Sequence, residues 1–217
     1  MFVAKRMTPN PVSISPSTMV SEAVGIMRSH KFRRLPVVDN GKLIGIITDR
    51  DLRDVSPSPA TTLSIYELNY LLAKMKVSEI MIKDVITIDV EATIEEAALT
   101  MYTKKIGGLV VVDSAQKVVG IITETDVFKC FVDVMGLLEG RTRITLEFED
   151  KVGALHEISG VFKDLGINIL SMASQHLPGD WIEQVIRADI QDTKELTRRL
   201  ATLGYRVVHI VQIGNHK

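Results

Sequence analysis

Among the 217 residues there is a single cysteine, Cys130. One thiol cannot close an intrachain disulfide, which excludes a disulfide-stapled fold and fits a reducing compartment. Cys130 stands in the apolar stretch from Val127 to Val134, where the expected role is that of a small buried hydrophobe. An excess of charge of one sign is also missing. With 26 Lys and Arg against 27 Asp and Glu, the formal net charge is −1, and no global basic field exists to condense on a nucleic-acid backbone. No nucleic-acid partner is expected. No apolar run approaches the roughly 18 residues a membrane span requires. The start, Met1 to Met7, leads into polar Thr8-Pro9-Asn10 and not into an apolar signal core. A soluble cytoplasmic chain without a membrane partner is expected. The five histidines, His30, His156, His176, His209 and His216, show no metal-ligand spacing, and neither a Walker loop nor a dinucleotide glycine loop occurs. These absences argue against an enzyme and against a required metal or cofactor. No acid-base pair stands out beyond Asp49 and Glu124, which open equivalent helices.

What is present is an internal repeat. Met7 to Ile14 (MTPNPVSI) aligns with Met81 to Ile88 (MIKDVITI), 74 positions on, and Leu35 to Asp39 aligns with Leu109 to Asp113 at the same offset. After one inserted residue, Gly45-Ile-Ile-Thr48-Asp-Arg-Asp51 matches Gly120-Ile-Ile-Thr123-Glu-Thr-Asp126. Each copy reads as a leading segment, a helix, two strands and a second helix. Thr93 with Glu96 forms a capping-box signature ahead of Ala97, Ala98 and Met101, and Ala23, Val24 and Met27 supply the matching apolar face in copy one. Leu35–Val38 and Leu43–Ile47 flank the hairpin signal Asn40-Gly41. Units this small cannot close a core alone, so the two copies should pack as a pair. Between them, Ser56-Pro57-Ser58-Pro59 reads as a loop, and Ser64 with Glu67 opens a linker helix through Tyr70, Leu71 and Met75.

From Arg141 the pattern changes. Ile144, Leu146 and Phe148 alternate as a strand, and Leu155, Ile158, Val161, Phe162 and Leu165 then recur at helical spacing and stop at Gly166. Strands at Ile167–Ser174 and Ile182–Ile190 follow, joined through Pro178-Gly179-Asp180. A helix capped by Asp192 with Glu195 carries Leu196, Leu200 and Leu203, and a last strand runs from Tyr205 to Ile213. The order is β-α-β-β-α-β, the ferredoxin-like pattern.

The two G-I-I-T-x-x-D segments and their surroundings resemble CBS motifs, and the pair resembles the CBS tandem, or Bateman module. Through Asp150-Lys-Val-Gly153-Ala-Leu155 and Gly166-Ile-Asn168-Ile, Arg141 to Gln212 resembles an ACT domain. The expected organisation is thus α/β: CBS motif 1 at 1–62, CBS motif 2 at 63–133, and an ACT domain at 141–217. A CBS pair followed by one ACT domain resembles the acetoin-utilisation B-type regulatory proteins.

The resemblance implies that AMP, ATP, ADP or S-adenosylmethionine is held as a regulatory ligand between the copies, with Thr48 and Asp51, and Thr123 and Asp126, facing it. A carboxylate can accept both hydroxyl protons of a ribose, and a Thr hydroxyl beside free helix amides can reach a phosphate. Each Thr would equally cap the helix that follows it. The resemblance further implies that Asp126 shares a cleft with Arg33 and Arg34, and Asp51 with Gly107 and Gly108. Two guanidinium groups grip phosphate where two glycines offer only amides, so the Asp126 side should be the stronger phosphate site. In an ACT domain Asp150, Gly153 and Asn168 match positions that bind an amino acid at a subunit interface. Gly153 and Asn168 would also suit backbone turns. The expected whole is a homodimeric regulator acting on a target protein of unknown identity. Two alternatives stay open, a ligand-free oligomerisation module and a cofactor-dependent enzyme assembled at a dimer interface.

Overall fold

The computed structural model describes residues 1–55, 74–138 and 142–212. The loop expected at Ser56–Pro59, the linker-helix cap Ser64 and Glu67, and the final Ile213 lie outside these residues. The chain divides into two compact units, Met1–Val127 and Phe128–Lys217.

In the first unit, copy one comprises β1 (Thr8–Pro9), α1 (Val20–His30), β2 (Arg34–Asp39), β3 (Lys42–Thr48) and α2 (Asp49–Asp54). Copy two comprises β4 (Thr87–Asp89), α3 (Ile94–Lys104), β5 (Gly108–Val112), β6 (Val118–Thr123) and α4 (Glu124–Val134), of which the residues from Phe128 on fall in the second unit. The hairpin signal is realised as Asn40 and Gly41 with φ of 48° and 80°, the paired positive values that match a two-residue turn to strand twist. Thr93 closes its capping box: its hydroxyl accepts from Glu96 N at 3.2 Å, and the Glu96 carboxylate accepts from Thr93 N at 2.7 Å. Val20, Ala23 and Met27 of α1 are buried on the face that covers Leu35, Val37 and Ile47. Each large aliphatic side chain removed from water in this way contributes roughly 1.5–3 kcal/mol.

The leading segments are exchanged between the copies. Thr8 and Pro9 of copy one pair antiparallel with Ile121 and Gly120 of copy two, while Ile82 of copy two bridges Ile46 of copy one. Further along each segment the chain returns to its own sheet, Ile14 bridging Val37 and β4 running parallel to β5. The exchange explains a glycine in each middle strand. A Cβ on Gly45 would lie 2.5 Å from Met81 Sδ, and one on Gly120 would overlap Met7 Sδ. Each methionine therefore lies in the groove left by the other copy's missing side chain. The mutual exchange ties two units that could not bury their own sheets.

The second unit holds β7 (Thr142–Glu149), α5 (Ala154–Asp164), β8 (Ile169–Leu177), β9 (Trp181–Ala188), α6 (Lys194–Thr202) and β10 (Arg206–Gln212). Its strands lie in the order β10-β7-β9-β8, antiparallel throughout, as a ferredoxin-like chain path requires. Ile144, Leu146, Phe148, Ile182 and Ile186 meet Ile158, Val161, Phe162, Leu196 and Leu200 in one core.

Two expectations are corrected here. Leu155 and Leu203, read as members of the apolar helix faces, are 53% and 44% exposed, and Ala154 takes the inward position at the start of α5. The box between Asp192 and Glu195 does not form. Asp192 accepts from Lys194 N, and Glu195 turns instead to Arg198 and Arg199, whose charged donors outcompete a backbone amide.

Candidate functional site

A cleft of about 340 Å³ opens in the first unit, between copy one and the edge of copy two where β5 begins and β6 passes into α4. Three pieces of chain build it. The leading segment of copy one supplies Thr8, Pro11 and Val12. The turn between α1 and β2 supplies Lys31, Phe32, Arg33 and Arg34. Copy two supplies Gly107 and Ile121, with Thr123, Glu124 and Thr125 at the start of α4. Pro11, Val12, Phe32 and Ile121 are apolar residues of the lining, and Lys31, Arg33 and Arg34 are its basic residues. The size falls within the range usual for small-ligand sites.

Arg34 is the most constrained of these residues. It opens β2, where the register pairs it with Thr48, and its Nη1 donates to Gly107 O at 2.6 Å. A Cβ on Gly108 would overlap the Arg34 guanidinium, so the Gly107-Gly108 pair is the seat of that side chain. Burial pulls the Arg34 pKa below its ordinary value, and the carboxylates of Glu124, Asp49 and Asp126 pull against it. A guanidinium remains charged under such opposition. Arg34 is therefore a cation held among acids drawn from both copies.

Thr48 and Thr123 both begin helices and both engage their own aspartates. In copy one, Asp51 Oδ2 accepts from Thr48 N and Oγ1, each at 2.7 Å, and Asp51 N donates back to Thr48 Oγ1 at 3.3 Å. In copy two, Asp126 Oδ2 accepts from Thr123 N at 2.8 Å and from Thr123 Oγ1 at 2.7 Å. The T-x-x-D spacing thus makes a capping arrangement in each copy, and the two bonds that each aspartate accepts from its threonine fall on one carboxylate oxygen.

Of the residues singled out from the sequence, the cleft brings together Arg33, Arg34 and Thr123. Asp126 does not itself line the cleft, but it follows Thr125, accepts two bonds from Thr123, and its charge acts on Arg34. Thr48 and Asp51 do not line this cleft, and Gly107, expected opposite Asp51, lies beside Arg34. Sequence reasoning missed Thr8, Pro11 and Val12, because only the exchange of leading segments carries copy one's MTPNPV to copy two.

In the second unit an open cleft of about 340 Å³ is lined by Asp150, Lys151, Gly153, Leu155, His156, His176 and Gln184, among others. Asp150 and Gly153 therefore share a cleft, and Gly153 has a φ of 90° that suits a residue without a side chain. Asn168 is exposed and does not line it. At one side of it, Lys151 Nζ donates to Glu157 Oε2 at 2.7 Å and the Tyr205 hydroxyl donates to the same oxygen at 2.6 Å. Those two bonds hold the Glu157 carboxyl below its usual range. Among the described residues no cluster of three His, Cys, Asp or Glu side chains could hold a metal, and no helix is long and apolar enough to cross a membrane.

Residues 3–58 and 77–133 match the family model of the CBS domain, which together is just over half of the chain, and the chain belongs to the CBS-domain family. A CBS domain-containing protein of Dictyostelium discoideum, DDB_G0289609, is 34% identical over 136 residues, covering 62% of this chain and 94% of that protein. The uncharacterized protein MJ1225 of Methanocaldococcus jannaschii is 38% identical over 128 residues, 56% of this chain, and the chain spans 46% of that relative's length.

Among solved structures, CBSX2 in complex with AMP is 28% identical with a TM-score of 0.51, covering 60% of this chain and 96% of that one. The CBS pair of MJ0100, in complex with 5-methylthioadenosine and S-adenosylmethionine, is 30% identical with a TM-score of 0.51, covering 60% and 95%. A Vibrio cholerae protein described as an AcuB-type acetoin utilization protein is 30% identical with a TM-score of 0.53, covering 64% of this chain and 96% of that one. The paired CBS units match CBS-pair structures.

Proposed function

We propose that this chain is a regulatory sensor, not an enzyme, which takes an adenosine nucleotide with a phosphate group into the cleft beside Arg34. The observation that carries the reading is that Lys31, Arg33 and Arg34 line one cleft together with Thr123, Glu124 and Thr125 at the start of α4. Apolar surface from Pro11, Val12 and Phe32 suits a base, the cations suit a phosphate, and the Asp126 carboxylate suits a ribose. Neighbours solved with AMP and with S-adenosylmethionine support an adenosine ligand. The three cations favour AMP, ADP or ATP over S-adenosylmethionine, whose sulfonium is itself positive. The Thr48 and Asp51 side forms a second, weaker site.

The second unit serves as an ACT domain, through which a homodimer forms, with an amino acid taken near Asp150 and Gly153. The CBS pair acts as one module, 1–133, that transmits ligand occupancy to a target protein in the cytoplasm. The likeness to an AcuB-type protein supports a role in acetoin utilisation. Calorimetric titration of the full chain with AMP, adenosine and S-adenosylmethionine tests the ligand assignment. AMP should bind at least tenfold more tightly than either of the others. Equal affinity for AMP and adenosine would sink the assignment, and turnover of any of them would favour the enzyme reading.

A further inference from the structure

The face of the second unit's sheet that looks away from its helices carries a buried cation that no described group neutralises. Strand parity sends Ile144, Leu146, Ile182 and Ile186 toward the helices and Arg143, Thr145 and Arg187 to the opposite face. Arg187 sits directly across β7 from Arg143 and across β8 from Ser171. Only 6% of Arg187 is exposed, and its Nε and Nη1 are buried without a hydrogen-bond partner. Among the described residues its neighbours offer no counter-charge. Arg143 is a like charge, spending Nη1 on Thr145 Oγ1 at 2.7 Å, and Ser171 Oγ donates to Met135 O at 2.8 Å. The turn at Gly136 lies against the edge of this group, since a Cβ there would be 3.6 Å from Ser171 Oγ and 3.9 Å from Arg187 Cδ.

Burying an unpaired charge is costly, and an isolated guanidinium beside a second one is doubly so. Desolvation first, and Arg143 second, pull the Arg187 pKa below its ordinary value, the direction expected of a cation lacking its anion. The planar fork of a guanidinium matches the two oxygens of a carboxylate or phosphate.

The geometry points to an oxyanion site on the sheet face that looks away from the helices, in which Arg187 grips a carboxylate or phosphate group with Arg143 as its second cation. This site is separate from the cleft at Asp150 and Gly153, because Gln184 and Ile182 of that cleft stand on the helix-facing side of β9. It is independent of the nucleotide reading. The oxyanion has two sources, a free small anion or a carboxylate from a second copy of the chain.

The test follows the Arg187 Nε–H resonance in the ¹⁵N-labelled full chain, identified by its loss in Arg187→Lys. A saturable shift on titration with inorganic phosphate supports the site with a free anion as its occupant. A shift with protein concentration but not with phosphate supports it with a second copy as the donor. In either case Arg187→Met, which removes the charge and keeps the length, should abolish the corresponding phosphate-dependent or concentration-dependent rise in thermal midpoint. A resonance indifferent to both phosphate and protein concentration would leave Arg187 a hydrated structural residue and overturn the proposal. Because the titration is made on the wild-type chain, the result stands even where a variant folds poorly.

Discussion

Gly107 and Gly108 are adjacent, yet the structure separates the consequences of filling them. In Gly108→Ala the new methyl would overlap the Arg34 guanidinium, lie 2.8 Å from Arg34 Cζ and stand 2.9 Å from the backbone oxygen of Ile122. The oxygen belongs to a β6 ladder and cannot move aside, and Arg34 must leave its 2.6 Å bond to Gly107 O. Losing a hydrogen bond from a charged donor costs about 1.5–3 kcal/mol, against about 0.5–1 kcal/mol regained from alanine's lower unfolded-state entropy. A net loss of about 1–2 kcal/mol is expected before any contribution from the Ile122 contact. In Gly107→Ala the methyl meets Glu124 Oε2 at 3.1 Å and Arg34 Nη2 at 3.2 Å. Both are far ends of side chains able to give a few tenths of an ångström, so this variant should be within about 0.5 kcal/mol of wild type.

Urea denaturation of both variants, and of each combined with Arg34→Ala, separates the effects. The Gly108→Ala cost should shrink by about 1.5 kcal/mol or more once Arg34 is already absent, while Gly107→Ala should show little coupling. Equal losses for the two glycines, or a Gly108 cost unchanged by the removal of Arg34, would refute the seat assigned to this guanidinium. If the seat also positions Arg34 for phosphate, Gly108→Ala should lose preference for AMP over adenosine in parallel.

Asp51→Ala and Asp126→Ala each remove a carboxylate that accepts two bonds from its own threonine, so each should cost about 1 kcal/mol of stability in denaturant titration, whatever becomes of ligand affinity. A variant at either position with unchanged stability would argue against the cap. Glu195 is held at a pKa of about 2 by its hydrogen bonds to Arg198 and Arg199, below an ordinary value of 4.5. A depressed carboxyl contributes stability above its unfolded pKa, so this contribution should fade as pH drops from about 4.5 toward 2, and an NMR titration midpoint near 4.5 would contradict the pairing. Tyr205 is 1% exposed and donates to Glu157 at 2.6 Å, so Tyr205→Phe should cost about 1 kcal/mol. A thermal scan showing no loss would mean that water replaces that bond.

Much of the fold was legible in the sequence because its signals are local or periodic. The repeat announces itself through paired identities such as Leu35 with Leu109, 74 positions on, the Thr93 cap through its spacing to Glu96, and the β-α-β-β-α-β order through changes of hydrophobic period. The T-x-x-D segments were legible as helix starts for the same reason. Local pattern misled where competing partners decide: Leu155 fits the helical stripe, but Ala154 is the residue α5 turns inward, and Glu195 prefers two arginines to a backbone amide.

Only the tertiary structure decided which copy each leading segment covers. Nothing local in MTPNPVSI records that Thr8 pairs with Ile121 and not with its own β3, because the choice is made by which sheet edge is free when two units fold against each other. That choice carries Pro11 and Val12 to the cleft with Arg33, Arg34 and Thr123. That Arg187 Nε and Nη1 are buried without a hydrogen-bond partner is likewise a tertiary fact. A strand's sequence tells which residues share a face, but whether a cation on that face finds water, an acid or nothing depends on what the rest of the chain lays over it.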